Sequence, residues 1–286
     1  MSAVLPGIGD GVRHGAIRIE DVVKVYGAGA DRVIALDRCS LAIDPGEICV
    51  VVGPSGCGKT TLLNAIAGFH PISEGRIALD GETLCDAAHP QAEPSSDRIV
   101  VFQNGALFPW KTNLDNVAFG PIVQGKLKPA QARDKARAML AAAGLSGIED
   151  QFPGEISSGM RRRVEIVRAL MNDPKVLLLD EPFRALDALT KSVMHEALLE
   201  IYYRNKVTIF FITHDLEEAV LLGHKVVVMT TRPARLKRVV PIDLPHPRDV
   251  SAVTSKRFRE LLEEVRSAVH EEARKSFEVG EREGSS

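Results

Sequence analysis

The eight residues Gly53-Pro54-Ser55-Gly56-Cys57-Gly58-Lys59-Thr60 constrain this chain more than any other stretch. They fit the pattern G-x-x-x-x-G-K-[ST], follow the apolar run Ile48-Cys49-Val50-Val51-Val52, and lead into an apolar-periodic run over 61–67. Strand, tight loop and helix in that order is the context the pattern requires. Glycines let backbone amides turn inward, and a helix N-terminus adds positive dipole where phosphates sit. In such a loop Lys59 reaches the β- and γ-phosphates of a nucleotide, and the Thr60 hydroxyl ligates Mg²⁺. Gly-rich turns between strand and helix also occur without a ligand; here the Lys-Thr pair at its proper offset favours nucleotide binding.

Composition sets few further limits. A chain of 286 residues can bury a large core in one domain or two. Its 45% hydrophobic and 26% charged content is ordinary for a globular protein. A formal net charge of −2 gives no global attraction to nucleic acid or to anionic lipid. Arg161, Arg162 and Arg163 form one short basic run, expected to fan around a helix as a solvated face with local ion pairs. No stretch approaches the roughly 18 apolar residues of a membrane span, and none resembles a secretory signal. Cys39, Cys49, Cys57 and Cys85 have neither paired spacing nor a neighbouring His cluster, which suggests a reducing compartment rather than zinc or disulfides.

Along the chain, 17–25 and 33–43 read as strands, with a turn at Asp44-Pro45-Gly46, and 75–81 reads as a short strand ending in a turn. These early strands are expected to be antiparallel with one wet face. The runs 175–180, 207–213 and 225–229 are apolar on both faces, as strands of a helix-covered parallel sheet should be. Helical patterns lie over 129–143, 158–171, 189–204 and 216–222. Beyond a Pro-rich stretch (Pro241, Pro245, Pro247), Phe258, Leu261, Leu262, Val265 and Val269 fall at helical spacing. They predict one apolar stripe, for core packing in preference to a partner. Residues 1–15 are expected to be loose, and 278–286 disordered.

The run Val176-Leu177-Leu178-Leu179-Asp180-Glu181-Pro182 puts two carboxylates at the C-terminal end of a buried strand, where open α/β sheets bind ligands. Asp180 suits a Mg²⁺ site, and Glu181 is placed to orient or deprotonate an attacking water. Paired acids after a strand can also be a structural helix cap.

Taken together, these motifs resemble the nucleotide-binding subunit of an ATP-binding-cassette (ABC) transporter, over about 17–247. Four more segments stand in that family's order. Gln103, after Arg98-Ile99-Val100-Val101-Phe102, matches the glutamine that touches Mg²⁺ and faces the membrane subunit. Ile156-Ser157-Ser158-Gly159-Met160 resembles the signature that contacts the ATP held by the partner subunit. Ala185-Leu186-Asp187 matches the dimer-interface loop, and Thr213-His214-Asp215 supplies the switch histidine. Tyr26 stands where the adenine-stacking aromatic would be, although a ring near a strand end is commonly just packing.

The resemblance implies a P-loop (RecA-like) α/β core with an antiparallel β subdomain and an inserted α-helical subdomain. It places the ATP-binding domain at 17–250, the helical subdomain at about 104–170, and an amphipathic helix and tail at 251–286. ATP would be held by Tyr26 and by Gly53, Pro54, Ser55, Gly56, Cys57, Gly58, Lys59, Thr60 and Thr61. Mg²⁺ would be held by Thr60, Gln103 and Asp180, with Glu181, His214 and Gln103 catalytic and Asp187 in the interface loop. Two departures stand out: Ser158 replaces a signature glycine, and Arg184 stands where related proteins carry a small residue.

One phosphate loop and one signature per chain imply composite sites, hence a second copy of the chain or a paralogous ATPase. An integral membrane permease and a periplasmic solute-binding protein are the other implied partners, at the cytoplasmic face of the membrane, with no nucleic acid. Phe108-Pro109-Trp110, Met229-Thr230-Thr231-Arg232-Pro233 and Ile242-Asp243-Leu244-Pro245-His246-Pro247-Arg248 resemble the nitrate/sulfonate/taurine importer branch. Phe108, Trp110 and Leu114 are expected to form a groove for a permease helix. The rivals are a lipid or lipoprotein extraction ATPase, a DNA-repair ABC ATPase, which would need long insertions, and a small-molecule P-loop kinase, which would lack the signature.

Overall fold

The computed structural model describes residues 14–184 and 186–283. The expectations for 1–13, for Ala185 and for 284–286 lie outside these. In chain order the strands and helices begin with β1 (Ile17–Tyr26), β2 (Val33–Ile43), β3 (Ile48–Val52), α1 (Lys59–Ala67), β4 (Glu74–Leu79) and β5 (Glu82–Cys85). They continue with β6 (Arg98–Val101), α2 (Asn113–Val123), α3 (Pro129–Ala142), α4 (Ser158–Leu170), β7 (Val176–Asp180) and α5 (Ala188–Asn205). The last are β8 (Thr208–Ile212), α6 (Leu216–Leu222), β9 (Lys225–Met229), β10 (Leu236–Pro241) and α7 (Lys256–Glu283). They fall into two compact units, Ser96–Val207 and Arg13–Ser95 with Thr208–Ser286.

In the second of these units, β2-β1-β4-β5 form an antiparallel sheet. The strands β9, β3 and β8 run parallel, and β10 lies antiparallel on the β9 edge. Every residue of β3 and β8 is buried, which explains why their sequences carry no polar alternation. The last strand was not evident in the sequence: β10 is edge-paired, so its Lys237 and Arg238 can remain partly exposed beside the apolar Val239 and Val240.

The helix α7 packs on α6, β9 and β10 through Phe258, Leu261, Leu262 and Val265, all buried. Core packing is therefore the role of that stripe. Its edge differs from expectation: Val269 is only half-buried, while Ala268 and Glu272 fill the inner face. The helix also continues to Glu283, through residues expected to be disordered. The run is dense in Glu, Arg and Lys, which are good helix formers, and Lys275 pairs with Glu271 four positions earlier.

In the unit Ser96–Val207, β6 pairs in parallel with β7, bringing Val101 opposite Leu179. The helices α2, α3 and α4 enclose a separate apolar core that includes Val117, Ala136, Leu140, Val164 and Val167. α2 lies within the span implied for the helical subdomain but outside the helical patterns, and it carries Pro121. The proline falls in the last turn, where it ends the helix rather than breaking it. Leu114, expected in a surface groove, is 5% exposed and belongs to this core.

Candidate nucleotide site

The phosphate loop leaves β3 at Gly53 and enters α1 at Lys59. Gly53, Gly56 and Gly58 all have left-handed φ, at +155°, +72° and +115°. A Cβ on Gly58 would stand 3.0 Å from the Ala35 carbonyl and 3.1 Å from Leu36 Cδ2, so backbone geometry and space both require glycine there. Lys59 is buried, and its Nζ donates to the Gly53 and Pro54 carbonyls at 2.9 and 2.8 Å, bracing the loop from within. The Cys57 thiol is buried under the loop, and burial raises its pKa. Arg232 Nη2 donates to the Gly56 carbonyl at 2.9 Å, a brace that no motif announced.

Two other expected residues belong to the same unit. Tyr26 ends β1, with its hydroxyl 3.1 Å from His70 Nδ1 and Lys24 Nζ 4.7 Å from the ring centroid; it is 38% exposed. His214 is exposed just beyond β8. Its neighbours are fixed: the Thr213 amide donates to the Val51 carbonyl, and Asp215 caps α6 by accepting the Glu217 and Glu218 amides.

In the unit Ser96–Val207, Asp180 is the buried last residue of β7, and Glu181 follows in a left-handed conformation (φ +44°). A non-glycine in that conformation is costly. Glu181 Oε2 receives two donors, Gln103 Nε2 at 3.5 Å and Arg184 Nη1 at 3.2 Å. The structure thus brings Gln103 to Glu181 and pairs Arg184 with the same carboxylate. A cleft of about 390 Å³ is lined by Gln103, Ser158, Arg162, Pro182 and Leu186, among others.

The signature begins α4. Ser157 is its N-cap and accepts the Met160 amide at 3.2 Å; Ser158 is exposed, so its extra hydroxyl meets solvent. Gly159 is buried, and a Cβ there would come within 2.8 Å of Thr190 Cγ2. Asp187 caps α5, accepting the Thr190 amide at 3.0 Å, and that bond lowers its pKa. The last residue of the expected interface loop is thus the helix cap.

The arginine run is not a solvated face. Arg161 Nη1 donates to the Ile156 carbonyl at 2.6 Å, and Arg163 Nη1 to Ala143 at 3.4 Å. Arg162 donates to the Phe102 and Gln103 carbonyls, both at 2.8 Å, and to Glu165 Oε2 at 2.6 Å. Glu165 Oε1 accepts the Ala106 amide at 2.9 Å, while Arg168 donates to the Ala106 carbonyl at 2.6 Å. Glu165 is 8% exposed; burial raises its carboxyl pKa against the pull of Arg162, and burial likewise lowers that of Arg162. Three side chains of one helix therefore hold the loop that carries Gln103. Sequence reading missed them because consecutive arginines give no sign of which backbone groups they will reach.

Past this loop, Phe108 is half-buried between Trp110 and Phe119, with ring centroids 5.5 and 4.9 Å away and the Arg168 guanidinium 4.3 Å above. Trp110 is 71% exposed. The connecting segment is stapled by Asn116, itself fully buried on α2. Its amide accepts from Phe108 N at 2.7 Å and donates to the carbonyls of Phe108, Lys111 and Thr112 at 3.0–3.1 Å.

Comparison with known proteins agrees with this architecture. The ABC transporter family model matches residues 36–184. The taurine import ATP-binding protein TauB of Rhizobium johnstonii is 43% identical over 89% of this chain and 96% of its own length. The aliphatic sulfonates import ATP-binding protein SsuB of Bacillus cereus is 39% identical over 87% of this chain and 94% of its own. Among solved structures, the ATP-binding cassette MJ0796, a dimer in a post-hydrolysis state bound to ADP and Pi, aligns over 80% of this chain and all of its own. That alignment has a TM-score of 0.68 at 27% identity. With the phosphate loop, the acid pair after β7 and these relatives in hand, the chain belongs to the ABC transporter ATP-binding proteins and is an ABC transporter ATPase.

Proposed function

We propose that this chain is the ATP-hydrolysing subunit of an importer, driving a separate membrane permease for taurine, an aliphatic sulfonate or another small anionic solute. The likeness to TauB and SsuB over nearly the whole chain carries the solute class. Among the described residues no helix is long and apolar enough to cross a membrane, and the translocation path is assigned to partner chains. The subunit would act at the cytoplasmic face of the membrane, as a dimer with a second copy or a paralogue, together with a periplasmic solute-binding protein.

The roles follow from chemistry at each position. Lys59, already inside the loop, exchanges the Gly53 and Pro54 carbonyls for phosphate oxygens at similar hydrogen-bonding cost. Glu181, directly after the last residue of β7, orients a water and takes up its proton, while Gln103 holds the carboxylate and His214 bonds the γ-phosphate. The Ser157 hydroxyl and the α4 N-terminus, including the Gly159 amide, would face the partner's nucleotide. A hydroxyl on Thr60, an amide oxygen on Gln103 and a carboxylate on Asp180 are all hard oxygen donors, the set Mg²⁺ prefers. The ion would neutralise phosphate charge when bound.

The test is Glu181→Gln in the full chain together with its permease in proteoliposomes. The variant should bind ATP, accumulate as a dimer and lose about 100-fold or more in turnover. The wild type should drive uptake of taurine or an alkanesulfonate, and failure to accelerate either would remove the solute assignment.

A further inference from the structure

The side chain of Arg184 reaches Glu181 for a local reason. The Arg184 amide donates to the Glu181 carbonyl at 3.3 Å, closing a turn that sets residue i+3 alongside residue i. Within that turn Arg184 Nη1 lies 3.2 Å from Glu181 Oε2, the oxygen that Gln103 Nε2 also approaches. The two partners are unequally exposed: the carboxylate side chain is 15% accessible and the guanidinium side chain 58%. The acid is held in place, whereas the cation has solvent into which it can withdraw.

We propose that Arg184 is a positioning residue that restrains Glu181, holding its carboxylate on the Gln103 side so that basal hydrolysis is slow until the pair opens. This rests on Glu181 being the base of the proposed reaction. An oxygen already accepting two N–H donors has less lone-pair capacity for a water, and an ion pair fixes the rotamer that the base must leave. Exposed pairs of this kind are weak, so the restraint is a modest brake and not a block. A small residue at 184 would remove this donor from Oε2 while the Gln103 contact stays in place.

The experiment compares wild type with Arg184→Gln, Arg184→Met and Arg184→Lys in the full chain, with folding monitored by circular dichroism and thermal melting. Arg184→Gln and Arg184→Met should raise basal kcat about two- to fivefold at unchanged KM for ATP, and Arg184→Lys should restore low turnover. The same substitutions in a Glu181→Gln background should change nothing. An unchanged or reduced kcat in folded Arg184→Gln overturns the restraint, as does a lysine variant as fast as the glutamine one. If Glu181→Gln alone keeps full turnover, the base assignment fails instead, and the two failures are told apart.

Discussion

Glu165 Oε2 sits 2.6 Å from Arg162 Nη1, while the other oxygen of the same carboxylate accepts the Ala106 amide. Arg162 in turn holds the carbonyls of Phe102 and Gln103. A helix that starts at the signature thereby fixes the backbone of the loop bearing Gln103, through a pair that is almost fully buried. Burial makes the arrangement all-or-none: removing one partner strands the other in a low-dielectric environment.

Glu165→Ala should therefore lower stability by about 1–3 kcal/mol and loosen Gln103. Chemical denaturation and hydrogen exchange of the 102–106 amides would measure this. Glu165→Gln, which keeps an acceptor for Ala106 N, should retain more protection there. Equal exchange in wild type and Glu165→Ala would refute the clamp.

Gly58→Ala introduces a Cβ 3.0 Å from the Ala35 carbonyl on backbone at φ +115°. The loop must shift, at a cost of about 1–3 kcal/mol, and nucleotide affinity should fall about tenfold or more. Titration with a fluorescent ATP analogue decides the point; undiminished affinity would mean that the loop tolerates the strain.

Trp110→Ala removes a side chain that is 71% exposed, so the melting temperature and basal ATPase should stay close to wild type. Solute uptake in the reconstituted complex should drop severely if Trp110 docks the permease. A destabilised or unfolded variant would instead assign the ring to packing.

Acid should loosen the α7 attachment in a definite window. The Glu271 carboxyl is held down to about 2, from 4.5, by hydrogen bonds from Lys237 and then Lys275. Glu272 is also lowered, its burial outweighed by the same two lysines. With fewer protons bound in the folded state, the contribution of the cluster is complete above pH 4.5 and is lost as pH falls towards 2. Lys237→Met should flatten the slope of stability against pH in that interval, and an unchanged slope would exclude the cluster as its source.

How legible each element was in the sequence depends on how local its cause is. The phosphate loop and the acid pair could be read because glycine spacing and a strand of five buried residues are properties of contiguous chain. The buried strands of the parallel sheet were legible for the same reason. β10 was not, since an edge strand mixes charged and apolar residues, and α2 fell only within the span implied for the helical subdomain, outside the helical patterns. Arg162, Glu165, Arg168 and Asn116 act on backbone groups tens of residues away or in a preceding loop, and nothing beside them in the sequence names those partners. Arg184 was intermediate: its oddity was visible, its partner Glu181 only in three dimensions.

The Asn116 staple has a thermodynamic consequence for whatever meets Trp110. Because four hydrogen bonds fix the backbone from Phe108 to Thr112, that segment gives up its freedom as the chain folds. An unstapled loop would have to freeze at encounter, at roughly 1–2 kcal/mol per residue. A partner helix that docked here would meet a rigid peg. Its capture rate would then be set by diffusion and orientation, with no wait for the loop to rearrange.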